Sequence, residues 1–306
     1  LPKEIWKLPL KLLEIRKVFK KYDIVHALDG WPYGFIAALC SLGLGKKIII
    51  TAIGTGAVKP LYQPIKKWLM MWAYRRADKV VAVSHNTRTE ILRVIPDLEI
   101  EVINHGVDHQ KFKIKNLKSK IIEDLKPYIL SVGTLKKRKG YEYSIKAFTQ
   151  VASKFPELKY MIVGQGPEQE RLESLVMSHR LQDRVVFLSD VGEDFLISLY
   201  QNSELFILLP QDDGKDIEGF GLVFLEAAAG GLPVIATRGS GAEDAVFSSR
   251  NGILVSQKDY QEASAALSRI LGDKHLRDRF STESRIIAAS MSWDKVALLY
   301  QNVYNI

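Results

Sequence analysis

Short apolar runs that end in a glycine loop and then give way to a helical pattern recur along this chain of 306 residues, and they restrict its possible folds more than any other feature. Asp23–Ala27 runs into Leu28-Asp29-Gly30-Trp31-Pro32-Tyr33, and Lys47–Thr51 runs into Ala52-Ile53-Gly54-Thr55-Gly56-Ala57. Tyr128–Gly133 leads to a basic loop, and Leu158–Gly164 leads to Gln165-Gly166-Pro167. Each run reads as a short buried strand. Strand, glycine loop and helix in repetition is the rhythm of a doubly wound parallel sheet, in which ligands bind at the carboxyl ends of the strands. The predicted fold class is α/β. With 306 residues and 47% hydrophobic content the chain can bury one large or two medium cores, so two domains are expected.

The stretch Asp212–Gly231, DDGKDIEGFGLVFLEAAAGG, changes character in its middle. Asp212–Gly221 is acidic, glycine-bearing and poor in apolar residues, so it reads as a loop; Leu222–Ala229 consists of good helix formers. The loop delivers Gly219, Phe220 and Gly221 to a helix N-terminus, where free N–H groups and the helix dipole favour an anion such as phosphate. Glu218 and Glu226 flank this seat. A carboxylate beside a diphosphate would be repelled, so these two are expected to face neutral hydroxyls, which a sugar or ribose presents. Phosphate between two sugars is the chemistry of a nucleotide sugar.

Other residues set limits. The only cysteine, Cys40, excludes an internal disulfide and fits a reducing compartment, so a cytoplasmic place is expected. The longest apolar runs fall short of a membrane span. Charge is unevenly placed: residues 1–115 hold 20 Lys and Arg against 10 Asp and Glu, whereas the remainder holds 23 against 25. A basic face of this kind attracts anionic lipid, nucleic acid or an acidic substrate. No nucleic-acid-binding motif accompanies it, so no nucleic-acid partner is expected, and an anionic membrane surface ranks above it. Residues 3–20 and Leu61–Arg76 read as helices with lysines and arginines beside an apolar stripe. In the second, Ile65, Trp68, Leu69 and Trp72 are expected to be core, with a membrane-surface role as the other reading.

Glu218-Gly-Phe-Gly-Leu followed by Glu226 resembles the E-x7-E signature of retaining glycosyltransferases of the GT-B fold, the glycosyltransferase family 4 group. Val102-Ile103-Asn104-His105-Gly106-Val107-Asp108 resembles the VIPNGVD turn of that family, Val163-Gly164-Gln165-Gly166-Pro167-Glu168 its VGDGPE turn, and Arg238–Glu243 its SGG-x-x-E segment. The resemblance implies two Rossmann-like doubly wound domains facing a cleft. The expected limits are 1–115 for an acceptor-side domain, 116–290 for the nucleotide-sugar domain, and 291–306 for a helix returning to the first; residues 109–126 read as the linker. It also implies that the opening βα units of the first domain precede Leu1.

The same resemblance assigns roles. In Gly133-Thr134-Leu135-Lys136-Lys137-Arg138-Lys139-Gly140, Lys139 matches the lysine that holds the donor diphosphate, while Thr134 stands where the family has an arginine. Thr134 supplies no charge, and Arg138 is the candidate to replace it. Read alone, this loop is either a diphosphate clamp or a solvated basic loop. Lys139 and Glu218 are the expected catalytic residues, with Glu218 on the donor sugar and Glu226 on the ribose. Gly133, Thr134, Arg138, Val191, Gly219, Phe220, Gly221, Leu222 and Glu226 are expected on the donor, and His26, Asp29 and Gly54 are candidates for the acceptor side, with His26 reading equally as a satisfied core histidine. Ile53 occupies a place where the family commonly has a histidine. No metal and no cofactor beyond a UDP-sugar or GDP-sugar donor is expected, although Asp212, Asp213 and Asp216 could imitate a metal-binding DxD motif. The implied reaction moves a hexose to an acceptor hydroxyl with retention, in lipid-linked, polysaccharide or cell-envelope glycan synthesis. The alternative is a binding-only partner in a membrane-surface glycan assembly.

Overall fold

The computed structural model describes residues 8–113, 124–213 and 215–305. The chain divides into two compact units, one of Leu1–Asn104 with Ala297–Ile306, the other of His105–Val296. The expected boundary at 115–116 and most of the expected linker lie outside the described residues, as do residues 3–7 of the first expected helix.

The first unit opens with α1 (Leu8–Phe19), which places Pro9 in its first turn, where the missing N–H costs nothing. It continues through β1 (Ile24–Leu28), α2 (Phe35–Cys40), β2 (Lys47–Ala52), α3 (Thr55–Val58), α4 (Pro64–Arg76), β3 (Lys79–Ala82), α5 (His85–Leu92) and β4 (Glu101–Val102). The strands form a parallel sheet in the order β1-β2-β3-β4. β2 is buried from Ile48 to Ala52, as a strand covered on both faces must be. Ser84 caps α5 by accepting from Thr87 N. Asp29 N donates to Thr51 O (2.8 Å), which ties the ends of β1 and β2 together.

α4 corrects the expectation that its aromatic stripe is core. Met70, Ala73 and Tyr74 are buried instead. Ile65 is 79% exposed, Trp68 69% and Trp72 37%, with Lys66, Lys67, Arg75 and Arg76 on the same helix. Both faces of α4 carry apolar residues, so periodicity gives no preference, and packing buries the face with Tyr74, whose hydroxyl donates to Ala57 O (3.1 Å). Among the described residues no helix is long and apolar enough to cross a membrane.

The second unit holds β5 (Tyr128–Val132), α6 (Tyr141–Val151), β6 (Lys159–Val163), α7 (Gln169–Ser178), β7 (Val185–Leu188), α8 (Glu193–Asn202) and β8 (Phe206–Ile207). Then come α9 (Leu222–Ala229), β9 (Val234–Thr237), β10 (Gly252–Val255), α10 (Tyr260–Gly272) and α11 (Lys274–Ser290). The parallel sheet runs β10-β9-β8-β5-β6-β7. Every residue of the central strand β5 is buried, including Ser131. That hydroxyl is satisfied by Tyr160 Oη (2.6 Å), which in turn donates to Ser144 Oγ (2.8 Å), so the core polar groups are paired. α12 (Trp293–Tyr304) ends the chain, and Ala297 onward belongs to the first unit.

Candidate active site

In the second unit, the loop and helix expected at Asp212–Ala229 are present, and glycine is required where they join. Gly221 caps α9 with φ 78° and ψ 71°, and a Cβ there would stand 2.6 Å from the Phe224 ring. The Arg238–Glu243 loop presses against the same corner. Gly241 N donates to Glu218 O (3.1 Å), and a Cβ on Gly241 would lie 2.2 Å from Gly219 O. Phe220 is buried, with its ring edge-on to His105 at 5.5 Å.

The basic loop after β5 reaches this corner from the other side. Gly140 takes φ 71° before α6, and Gln211 N donates to Arg138 O (2.7 Å). Lys139 Nζ lies 2.6 Å from Glu218 Oε2, and Arg138 Nη1 donates to the same oxygen at 2.7 Å. Arg138 Nε also pairs with Asp216 (3.2 Å). Lys139 and Glu218 are both 7% exposed. The sequence places neutral hydroxyls before Glu218; the cations beside it are an addition to that reading. A carboxylate buried to that degree needs charge partners, and the folded chain supplies two of its own. Thr134 is exposed, and Arg138, the candidate to replace the missing arginine, is held by two carboxylates. Asp213 pairs with Lys137 (3.6 Å), and Asp212 Oδ1 accepts from Lys215 N (3.1 Å), so of the DxD-like run Asp213 and Asp216 turn to the basic loop and Asp212 to its own.

Glu226 faces a different part of the unit. It accepts a hydrogen bond from Tyr200 Oη (2.8 Å) and, with Leu222, lines a cavity of about 230 Å³ whose walls include Phe112, Leu196 and Trp293. Desolvation raises the Glu226 carboxyl above its ordinary value, against the lowering effect of the Tyr200 hydroxyl. Val191 sits in the loop that leads to α8, and α8 carries Glu193 and Leu196 into the cavity wall. Gly133 holds φ 146° and accepts from Tyr141 Oη (2.7 Å), which fixes the start of the basic loop. Two groups here have no signal in sequence. Tyr200 reads as an ordinary helix residue until Glu226 is seen beside it, and His105, whose pKa burial lowers, as a turn residue. Asp216, one acid of the DxD-like run, pairs with Arg138.

In the first unit, His26 is spent on the fold. Its Nε2 meets Thr51 Oγ1 at 2.7 Å and its Nδ1 meets Tyr304 Oη at 2.8 Å, so the ring fastens α12 to β1. Asp29 and Gly54 stand together at the carboxyl ends of β1 and β2. The Asp29 carboxylate accepts from Gly30 N (2.8 Å) and from Ile53 N, so the residue in place of the family's histidine contributes its backbone. Gly54 takes φ 143° and ψ −119° at the start of α3.

Comparison with known proteins places the chain in a family. Residues 112–286 match the profile of glycosyl transferases group 1, and residues 1–111 that of glycosyltransferase family 4. An uncharacterized glycosyltransferase of Methanocaldococcus jannaschii is 29% identical over 94% of this chain and 76% of its own length. A GDP-mannose-dependent alpha-(1-6)-phosphatidylinositol monomannoside mannosyltransferase of Mycobacterium tuberculosis is 28% identical over 93% and 77%. N-acetyl-alpha-D-glucosaminyl L-malate synthase of Bacillus anthracis is 26% identical over 92% and 74%. Among solved structures, sucrose-phosphate synthase of Thermosynechococcus elongatus superposes with TM-score 0.83 at 23% identity, over 99% of this chain and 79% of that one. Anabaena HepE in complex with UDP superposes with TM-score 0.84 at 20% identity, over 97% and 82%. Two parallel-sheet Rossmann-like units are thus the fold of GT-B glycosyltransferases, and the chain belongs to the glycosyl transferases group 1 family.

Proposed function

We propose that this protein transfers a hexose from a UDP-sugar or GDP-sugar to an acceptor hydroxyl, with retention of anomeric configuration and without a metal. The observation that carries the reading is the corner where Lys139 and Arg138 converge beside the glycine-opened N-terminus of α9. As the bond from sugar to diphosphate stretches, negative charge grows on the phosphates while the sugar gains oxocarbenium character. A buried ammonium and a helix N-terminus are the groups that stabilise such a departing charge, and they do so in the role a metal would otherwise take. Glu218 is assigned to the donor sugar and Glu226, beside the Tyr200 hydroxyl in the cavity wall, to the ribose. In this reading the acceptor proton goes to the leaving phosphate, so no protein base is required.

The acceptor is proposed to be a glycan or lipid-linked glycan at an anionic membrane surface on its cytoplasmic side. Support comes from the exposed Ile65, Trp68 and Trp72 among basic residues on α4, and from the mycobacterial relatives whose names specify phosphatidylinositol mannosides. Titration with UDP-glucose, UDP-N-acetylglucosamine and GDP-mannose tests the donor assignment: binding of one of them with release of its nucleoside diphosphate is expected, and binding of none would overturn it. Turnover that EDTA abolishes and Mn²⁺ restores would overturn the metal-independent part.

A further inference from the structure

Thr134 brings no charge to the place of an arginine, and Arg138 is engaged by Glu218 and Asp216. Behind the basic loop, however, stands a phenol. Tyr141, the first residue of α6, is buried, and its hydroxyl donates to Gly133 O at 2.7 Å. Burial, and then the nearness of Tyr160 and Glu218, pushes this hydroxyl well above its ordinary range, so it remains a donor. The Gly133–Thr134 peptide is fixed on its other sides too. Gly133 N donates to Val163 O (2.9 Å), Leu135 N to Gln165 O (2.9 Å) and Lys136 N to Thr134 O (2.8 Å). A Cβ on Gly164 would stand 2.1 Å from Gly133 O, so the end of β6 closes over that carbonyl. Among the described residues no donor other than Tyr141 reaches it.

The peptide is trans, so a carbonyl drawn inward to Tyr141 sends Thr134 N–H the opposite way, and Thr134 itself is exposed. Among the described residues no hydrogen bond ends on Thr134 N. The peptide also lies beside the ammonium assigned to the diphosphate, since a Cβ on Gly133 would stand 3.9 Å from Lys139 Nζ. We propose that Tyr141 is a positioning residue for transfer: it locks the Gly133–Thr134 peptide so that Thr134 N–H donates to the donor diphosphate beside Lys139. The assignment rests on the transferase reading above. A fixed backbone N–H suits a departing phosphate because it needs no reorganisation as charge develops. It also adds no further cation to a corner where Arg138 and Lys139 already share Glu218. Without the phenol, Gly133 O is a buried acceptor short of a donor, and the neighbouring Lys139 ammonium is drawn toward it and away from its task.

The test compares Tyr141→Phe with Tyr160→Phe by calorimetric titration with free UDP and free GDP, by release of nucleoside diphosphate from the donor, and by melting temperature. Tyr160→Phe removes a phenol from the same core, where it meets Ser131 Oγ (2.6 Å) and Ser144 Oγ (2.8 Å) and makes no hydrogen bond to the basic loop. Both variants are expected to melt below the parent. Tyr141→Phe alone should weaken nucleotide binding and lower kcat, each about tenfold, as loss of a hydrogen bond to a charged group does. Thr134→Pro, which removes the N–H, should reproduce both losses. Parent-like affinity and kcat in a folded Tyr141→Phe or Thr134→Pro variant would overturn the assignment. Equal losses in the two tyrosine variants would overturn it as well, because Tyr141 would then serve only the core. A parent that binds neither nucleotide would overturn the transferase reading, and this assignment with it.

Discussion

Lys139 has two roles in the folded chain, and they can be separated. It neutralises Glu218, and it is assigned to the departing diphosphate. Lys139→Met keeps most of the side-chain volume and removes the charge. Glu218 Oε2 then loses its 2.6 Å contact but keeps Arg138 at 2.7 Å, so the stability cost is that of one hydrogen bond to a charged group, about 1.5–3 kcal/mol. Glu218→Gln is harsher for Lys139, which is buried and loses its carboxylate; breaking a buried pair from one side costs about 3–5 kcal/mol. The double variant leaves neither charge stranded, since Arg138 retains Asp216 at 3.2 Å, so its stability should exceed the sum of the single effects. Turnover should not follow. Without a cation on the leaving phosphates the rate should fall about 100- to 1000-fold in both Lys139→Met and the double variant. Urea unfolding monitored by circular dichroism gives the stability cycle, and release of nucleoside diphosphate from the donor gives the rates. Recovery of turnover together with stability in the double variant would refute the reasoning, because Lys139 would then serve only to pair Glu218.

Two further outcomes are expected. Glu226 has a folded pKa raised above its ordinary 4.5, so between that value and the raised one the folded state binds more protons than the unfolded chain. Its contribution to stability therefore falls as pH rises through that window. Glu226→Gln should flatten this fall, read as the difference in melting temperature between variant and parent from pH 4.5 upward, and identical slopes would sink the assignment. Trp68→Ser and Ile65→Ser remove exposed apolar groups worth about 1.5–3 kcal/mol each if they become buried in lipid. Both should weaken co-sedimentation with phosphatidylglycerol vesicles and leave the melting temperature unchanged; equal sedimentation with parent would remove the membrane reading.

How far the molecule was legible in its sequence depended on the range of the interaction concerned. The α/β class and the glycine at Gly221 were readable because backbone conformation is settled within a few residues. The outward stripe of α4 was not, since Trp68 and Tyr74 lie on opposite sides of a helix that is apolar on both, and only packing chooses between them. His26 was open between ligand and core until Tyr304, 278 positions away, was seen to take its Nδ1. Ion pairs were the least legible. A sequence reader gives Arg138 and Lys139 to a phosphate and Glu218 to a sugar, each partner coming from outside the protein.

A folded chain must first satisfy a carboxylate that is 7% exposed from within, which is why Arg138 and Glu218, 80 positions apart, meet. The consequence bears on binding. A diphosphate that reaches Lys139 competes with a carboxylate already there, so its affinity measures a difference between two partners and not the strength of one. Free UDP or GDP carries no sugar for Glu218 to hold. Glu218→Gln should therefore bind the free nucleoside diphosphate more tightly than the parent does, even as transfer falls. Calorimetric titration reads this directly, and equal or weaker binding by a folded Glu218→Gln variant would show that the cations of this loop are not the diphosphate seat.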